Sequence, residues 1–377
     1  MTATETQSRR LTVLKEEKQD TTDKASLSAA SAEQQLKDAG LSEVFHADQR
    51  GTAKAVCIWS ETDWDLDQRD PYVEKDVVKM FPLDCDDAAK EEYLALVQST
   101  TGFVCKKGKK DNSANQDSFS VLVVEGKFAL YGVYDGHGKF GHHVSARAKE
   151  LMTKLFLEHP QRESDPEAAF REVFPLVHKG IEQSQDISDV LTSGSTCTMA
   201  YHDMVRETLT TAHVGDSRSI LCRDLKAEEL TQDHKPDLPA ERQRIESANP
   251  PGRVEFDGHF NYRVFPMDKP YPGLNMSRAL GDVTSHREAG LSAEPDVRTL
   301  DLKAEIASGI KPLILLLCSD GVWEFLESSK VAIWATKTEQ TVLQRCERLA
   351  SESYKRWMDD SGQEVADDIT AILVQLA

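Results

Sequence analysis

Phe128-Ala129-Leu130-Tyr131-Gly132-Val133-Tyr134-Asp135-Gly136 is an apolar strand-like run that stops on an aspartate followed by glycine. The pattern recurs where the run 312–318 gives way to Ser319-Asp320-Gly321. A third run, 208–214, ends on Gly215-Asp216, and an acidic pair, Asp367-Asp368, opens a fourth, 369–376. One Asp-Gly is an ordinary turn dipeptide. A whole set of carboxylates at strand ends is different. If the strands are neighbours, the carboxylates converge at one sheet edge. There they repel unless a hard cation, magnesium or manganese, lies between them. Glycine at 136 leaves its carbonyl accessible as a further oxygen ligand.

Outward from this stretch, the runs 119–124, 195–203 and 218–224 also read as strands. Helical patterns fall at 142–158, 166–185, 239–248, 327–338 and 339–358. Helix pairs inserted between groups of hairpin-connected strands predict a layered α+β domain with helices outside. The stretch 249–272 is too rich in Pro, Gly and aromatics for a regular element and is expected to form an irregular flap beside the site. Residues 1–45 read as a disordered acidic tail and 46–100 as a partly ordered extension. The main domain is expected over 101–377.

With 377 residues, the chain can bury a sizeable core. Lys+Arg 45 against Asp+Glu 64 gives −19, a field that repels nucleic acid and acidic membranes. An anionic substrate must therefore be drawn by a local positive site or by metal. The longest apolar run, Leu313–Cys318, is far below the ~20 residues of a membrane-spanning helix, so no membrane insertion is expected. The first twenty residues lack the apolar core of a secretory signal, and Thr2 excludes N-myristoylation. Cysteines 57, 85, 105, 197, 222, 318 and 346 are odd in number and lack a C-x-x-C spacing. That suits a reducing compartment, and a cytoplasmic or nuclear location is expected.

Several smaller patterns compete for attention. His137, beside Asp135-Gly136, can donate a proton to a leaving oxygen, though a turn histidine at the surface is the plainer reading. Gly136-His137-Gly138-Lys139-Phe140-Gly141 fits a dinucleotide fingerprint. It is rejected because Asp135 would face a pyrophosphate with the wrong sign. Lys106, Lys107, Lys109 and Lys110 crowd together before Asn115-Gln116-Asp117, where they can capture a phosphate or simply be solvated. Asp63, Asp65, Asp67 and Glu74 have EF-hand spacing, but Gln68 and Pro71 stand where a calcium loop wants other residues.

Taken in order, CKKGKKDNSANQDSF, YGVYDGHG, SGSTCTMA, AHVGDSRSIL, LTQDHKP, LNMSRALGD, AEPDV, LLLCSDGVWEFL and DDITAIL closely resemble the metal-dependent Ser/Thr protein phosphatases of type 2C. The resemblance covers about 102–377. It implies a four-layer α-β-β-α sandwich, two antiparallel β-sheets flanked by helix pairs, with a bimetal site at one end. It further implies two Mg or Mn ions per chain. Asp135 would bridge them, the Gly136 carbonyl would bind one, Asp320 and Asp367 the other, and Asp117 would hold metal-bound water. Asp216 with Asp320 would form a weaker third position, and His137 would be the general acid. The implied reaction is hydrolysis of phosphoserine and phosphothreonine in proteins by a metal-activated water, with no covalent enzyme intermediate. Two departures stand out. Gln116 replaces a common Glu, and Asn112 stands where many members carry a phosphate-binding Arg. Lys107 is assigned that role in its place. The alternative is a catalytically dead scaffold that binds phosphoproteins. It would need a lost ligand, yet Asp135, Gly136, Asp320 and Asp367 are all present. The expected partners are phosphoproteins, and the expected state is a monomer.

Overall fold

The computed structural model describes residues 54–61, 71–82, 85–110, 113–337 and 339–376. The acidic tail 1–45, Asp63, Asp65, Asp67 and Asn112 lie outside the described residues. Two antiparallel sheets stack face to face. The larger runs β14 (Asp296–Asp301), β8 (Thr208–Val214), β7 (Cys197–Asp203), β5 (Phe128–His137), β4 (Asp117–Val124), β1 (Ala55–Ser60) and β2 (Val77–Met80). The short strands β6 (Gly194–Ser195) and β13 (Leu280–Gly281) continue it beside the end of β5. The smaller sheet runs β10 (Lys226–Glu229), β9 (Arg218–Arg223), β15 (Leu313–Cys318), β16 (Ile369–Gln375) and β3 (Thr101–Lys106).

The described residues also form nine helices: α1 (Asp87–Thr100), α2 (Gly141–Glu158), α3 (Pro166–Glu182), α4 (Pro239–Glu246), α5 (Val283–Glu288), α6 (Lys303–Ser308), α7 (Asp320–Trp323), α8 (Ser328–Ala335) and α9 (Val342–Asp360).

Strand alternation makes the layers. On β5, Leu130 and Tyr134 face outward into a core shared with Val144, Met152 and Phe156 of α2 and Phe170 and Val173 of α3. Tyr131 and Val133, one residue out of phase, face inward against Leu315 and Leu317 of β15 and Ile372 of β16. The other face of β15, Ile314 and Leu316, packs under Val331 of α8 and Cys346 and Leu349 of α9. With both faces covered, these strands read as continuous apolar runs rather than alternating ones. The result is the expected four-layer α-β-β-α sandwich. The antiparallel sheets also exclude the parallel βαβ unit that a dinucleotide fingerprint requires.

Two expectations need correction. The boundary near 100 does not divide the sheet, because β1 pairs with β4 over Ala55–Trp59 and β2 pairs with β1. The extension from Lys54 onward thus shares the sandwich. The stretch 249–272 is not irregular. β11 (Gly252–Phe256) and β12 (Tyr262–Pro266) form a hairpin. Val254 and Val264 are buried with Ile245 and Ala289 in a small core of their own. Asp257 closes the turn by accepting backbone N–H bonds from His259, Phe260 and Asn261 at 2.9–3.1 Å. A side chain that takes over the backbone donors of a turn replaces the usual turn dipeptide as a signal. At the other end of the chain, a Thr341–Gln344 capping box starts α9 three residues later than the periodicity suggests.

Candidate active site

The predicted carboxylates meet at one end of the sandwich. β4 and β5 place Asp117 directly across from Asp135. Asp320 opens α7 after β15, Asp216 follows β8, and Asp367-Asp368 precede β16. The sheets are tied together here by Ser319. Its hydroxyl donates to Asp117 Oδ2 at 2.7 Å and accepts from Thr370 N at 3.0 Å. Asp368 has a structural part that the sequence did not reveal. Its two oxygens accept from Gly108 N at 2.7 Å and Gln116 N at 2.9 Å, joining the lysine loop to the start of β4.

Electrostatics mark the cluster. Burial, with the Asp368 charge added, pushes the Asp117 carboxyl up to about 7. Burial with Asp367 and Asp216 pushes Asp320 up to about 8. Asp135 is raised well above the ordinary carboxylate range by burial and by Asp320, Asp117 and Asp367. Asp117 Oδ1 and Asp216 Oδ1 are buried without a hydrogen-bond partner. Unpartnered buried carboxylate oxygen is costly, and close carboxylates cannot all ionise without a countercharge. Two lysines supply some of it. Lys110 pairs with Asp367, and Lys235 Nζ lies 2.5 Å from Asp216 Oδ2. Burial opposes both ammonium charges, but Asp367 and Asp216 outweigh it and hold both groups above the ordinary lysine value. Among the described residues no three Asp, Glu, His or Cys side chains close on one point as ligands of an ion. The donor set itself, buried, all-oxygen and mutually repelling, fits hard divalent cations such as Mg or Mn.

Gly136 lies at the centre. A Cβ there would overlap the carbonyl of Gly141 and stand 2.6 Å from that of Gln116, so only glycine fits this approach of β5 to α2. Next to it, His137 Nε2 lies 2.6 Å from Asp282 Oδ2, and Nδ1 has no partner. Burial disfavours the charged imidazole, but the Asp282 carboxylate outweighs it and raises the His137 pKa. Asp282 is fully buried, with left-handed backbone at φ 46° and ψ 44°. A Cβ at Gly194 would overlap Asp282 Oδ2 and stand 2.6 Å from His137 Nε2. The glycine of the SGST segment therefore makes room for this pair. Neither Asp282 nor Gly194 was singled out from sequence. The available signal was a charged residue after glycine inside SRALGD and a glycine between two serines.

Lys107, the lysine expected to face the phosphate, is buried, and its backbone pairs with Tyr72 and Val73. Lys106 pairs with Glu74, and Lys109 donates to the Gln363 carbonyl. The Lys110 ammonium pairs with Asp367 of the cluster. Gln116 also differs from expectation. Its amide donates to the Gly138 carbonyl at 2.6 Å, so a Glu there would lose a donor rather than simply add charge near the metal. Glu74, the last EF-hand candidate, is engaged by Cys105 N and Lys106.

The sandwich thus gathers carboxylates and a His–Asp pair at one end. The protein phosphatase 2C family model matches residues 102–362, and the chain belongs to that family. It is similar to probable protein phosphatase 2C 59 of Arabidopsis thaliana, 31% identical over 73% of this chain and 78% of that one. It is also similar to probable protein phosphatase 2C 35 of the same plant, 29% identical over 70% and 78%. Among solved structures, serine-threonine phosphatase 2C from Toxoplasma gondii shares the fold. That match has a TM-score of 0.59 at 22% identity, over 73% of this chain and 93% of that one. A C. elegans sex-determining protein also shares it, with TM-score 0.59 at 20% identity, over 74% and 64%. The chain is accordingly a metal-dependent protein serine/threonine phosphatase.

Proposed function

We propose that Asp117, Asp135, the Gly136 carbonyl, Asp320 and Asp367 hold two Mg or Mn ions, with Asp216 and Asp320 providing a weaker third position. The observation that carries this reading is the convergence of carboxylates raised first by burial and then by one another's charge, with oxygens of Asp117 and Asp216 left without hydrogen-bond partners among the described residues. Divalent ions bound there supply a nucleophile from water at neutral pH and offset charge on the phosphoryl oxygens. The chain's own residues do the rest. Lys110, alongside the Lys107 expected from the resemblance, brings a positive charge to the phosphate side of the cluster. Asp282 fixes one ring nitrogen of His137 and favours its protonated form. The other nitrogen, Nδ1, is buried with no hydrogen-bond partner among the described residues, and it hands its proton to the departing seryl or threonyl oxygen when the substrate is seated against it. No side chain needs to form a covalent intermediate.

The substrates in this reading are phosphoserine and phosphothreonine proteins rather than nucleic acid. The exposed aromatic hairpin beside the site takes part in their recognition. Every site residue comes from one chain, so a monomer suffices. Seven unpaired cysteines, six of them buried, support a cytoplasmic or nuclear location. Among the described residues no helix is long and apolar enough to cross a membrane. The test is release of phosphate from a phosphothreonine peptide by the full chain. Turnover should require Mg or Mn and stop with EDTA. Metal-independent turnover would refute the metal assignment, and binding without turnover would favour the scaffold.

A further inference from the structure

Residues 72–76 form a strap that lies outside the stretch matched by the family model. β3 is an edge strand of the smaller sheet, and the strap covers its free edge. Tyr72 N donates to Lys107 O at 2.8 Å, Lys107 N to Val73 O at 3.0 Å, and Lys75 N to Cys105 O at 2.8 Å. The Glu74 carboxylate accepts from Cys105 N at 2.7 Å and pairs with Lys106 at 2.7 Å. The chain then crosses to the larger sheet as its edge strand β2. One segment thus staples both sheets on the same side of the sandwich.

At the crossing, Lys75 turns inward and is 2% exposed. Its ammonium donates to the carbonyls of Asn115 at 3.0 Å and Asp117 at 2.7 Å. Those carbonyls flank Gln116, whose own carbonyl receives Gly136 N and Ser145 Oγ. A lysine buried against neutral carbonyls is an expensive arrangement, and it persists only where those carbonyls must be held. Here they belong to the segment that carries Asp117.

We propose that Lys75 is a positioning residue for the metal centre, and that strap docking and metal binding are coupled through the Asn115-Gln116-Asp117 backbone. The inference rests on the metal assignment made above. The coupling is reciprocal: metal bound near Asp117 steadies the strap, and the docked strap raises metal affinity.

The test uses the full chain and Mn²⁺ alone, followed by calorimetry and amide hydrogen exchange. In the wild type, Mn²⁺ should slow exchange of the Tyr72, Lys75 and Lys107 amides at least threefold while leaving β10 and α6 unchanged. Lys75→Met should weaken Mn²⁺ binding about tenfold, the range for loss of an outer-shell partner. It should also speed exchange at Gln116 and Asp117, with the KM for a small aryl phosphate at saturating Mn²⁺ unchanged. Lys75→Arg should restore part of the affinity, and Glu74→Gln should give a smaller loss of the same kind. Should Lys75→Met not fold, the wild-type exchange and Glu74→Gln decide alone. Strap amides indifferent to Mn²⁺, or variants that bind it within twofold of wild type, would overturn the coupling. A wild-type chain that binds no Mn²⁺ at all would overturn the metal assignment instead.

Discussion

The carboxylate end of the sandwich and the β11–β12 hairpin are opposites. At the first, ionisable groups are buried: Asp117, Asp216 and Asp282 are each no more than 1% exposed. At the second, aromatic groups are bare: Phe260 is 88% exposed and Phe256 51%. Buried charge and exposed apolar surface are the two departures from ordinary burial that call for a reason. The reasons differ. Strands of two sheets hold the carboxylates against their own repulsion, and in the proposed reading a bound cation would offset that cost. The hairpin rests on a small core of four buried residues and a single Asp257 turn, and presents aromatic rings that nothing among the described residues covers. In the proposed reading that surface takes part in substrate recognition. Chemistry and recognition are thus expected to be separable by mutation.

The harshest test removes a ligand. Asp320→Asn or Asp367→Asn should reduce turnover of every phosphate ester to the metal-free background, a loss exceeding the ~10²-fold seen when an outer-shell partner is removed. The fold should survive, because each change relieves repulsion. Near-normal turnover by either variant would remove the carboxylate end from the reaction.

His137→Gln is next. A seryl or threonyl oxygen needs a proton as it leaves, whereas nitrophenolate needs little help. A loss of ~10²-fold or more is expected on a phosphothreonine peptide, with a much smaller loss on p-nitrophenyl phosphate. Metal titration of both forms controls for damage to Asp135 and Gly136. Equal losses at unchanged metal affinity would show that His137 is not the acid.

The hairpin side of the comparison is sharpened by Phe256→Ala with Phe260→Ala, which leaves the Asp257 side chain that closes the turn in place. The KM for phosphopeptide should rise roughly tenfold, the worth of part of an aromatic side chain. Turnover of p-nitrophenyl phosphate should stay within twofold. Matching losses on both substrates would deny the hairpin a separate role.

The smallest effect is on stability. Asp117 and Asp320 titrate near 7 and 8 in the fold and near 4 when unfolded. Between those values the folded chain keeps protons that the unfolded chain has lost, so this stability is present at low pH and lost as pH rises through 7 to 8. The Tm of EDTA-treated protein should therefore fall between pH 5 and 8, by on the order of 5 °C. Mn²⁺ should largely abolish the slope. A metal-free Tm that rises over this interval would contradict the buried repulsion.

Apolar runs ending in Asp-Gly were enough to place most of the strands and the candidate aspartates, because a strand buried on both faces writes its length directly into the sequence, whereas the four-layer sandwich came from the family resemblance. The hairpin escaped because its register depends on two valines and an aspartate that acts as a turn. β1 and β2 escaped because short strands far from the motifs carry no local signal of their partners. The same limit separates the two kinds of site residue. Asp135 and Asp320 announce themselves by lying at the ends of their strands. Lys110, Lys235, Asp282 and Lys75 acquire their roles only through neighbours far along the chain. Asp282 meets His137 across 145 positions, and Lys110 meets Asp367 across 257. Sequence alone determined which oxygen donors the protein has and that they gather. Tertiary structure decided which cations and hydrogen-bond donors answer them, because a countercharge is chosen by distance in space and not by distance along the chain.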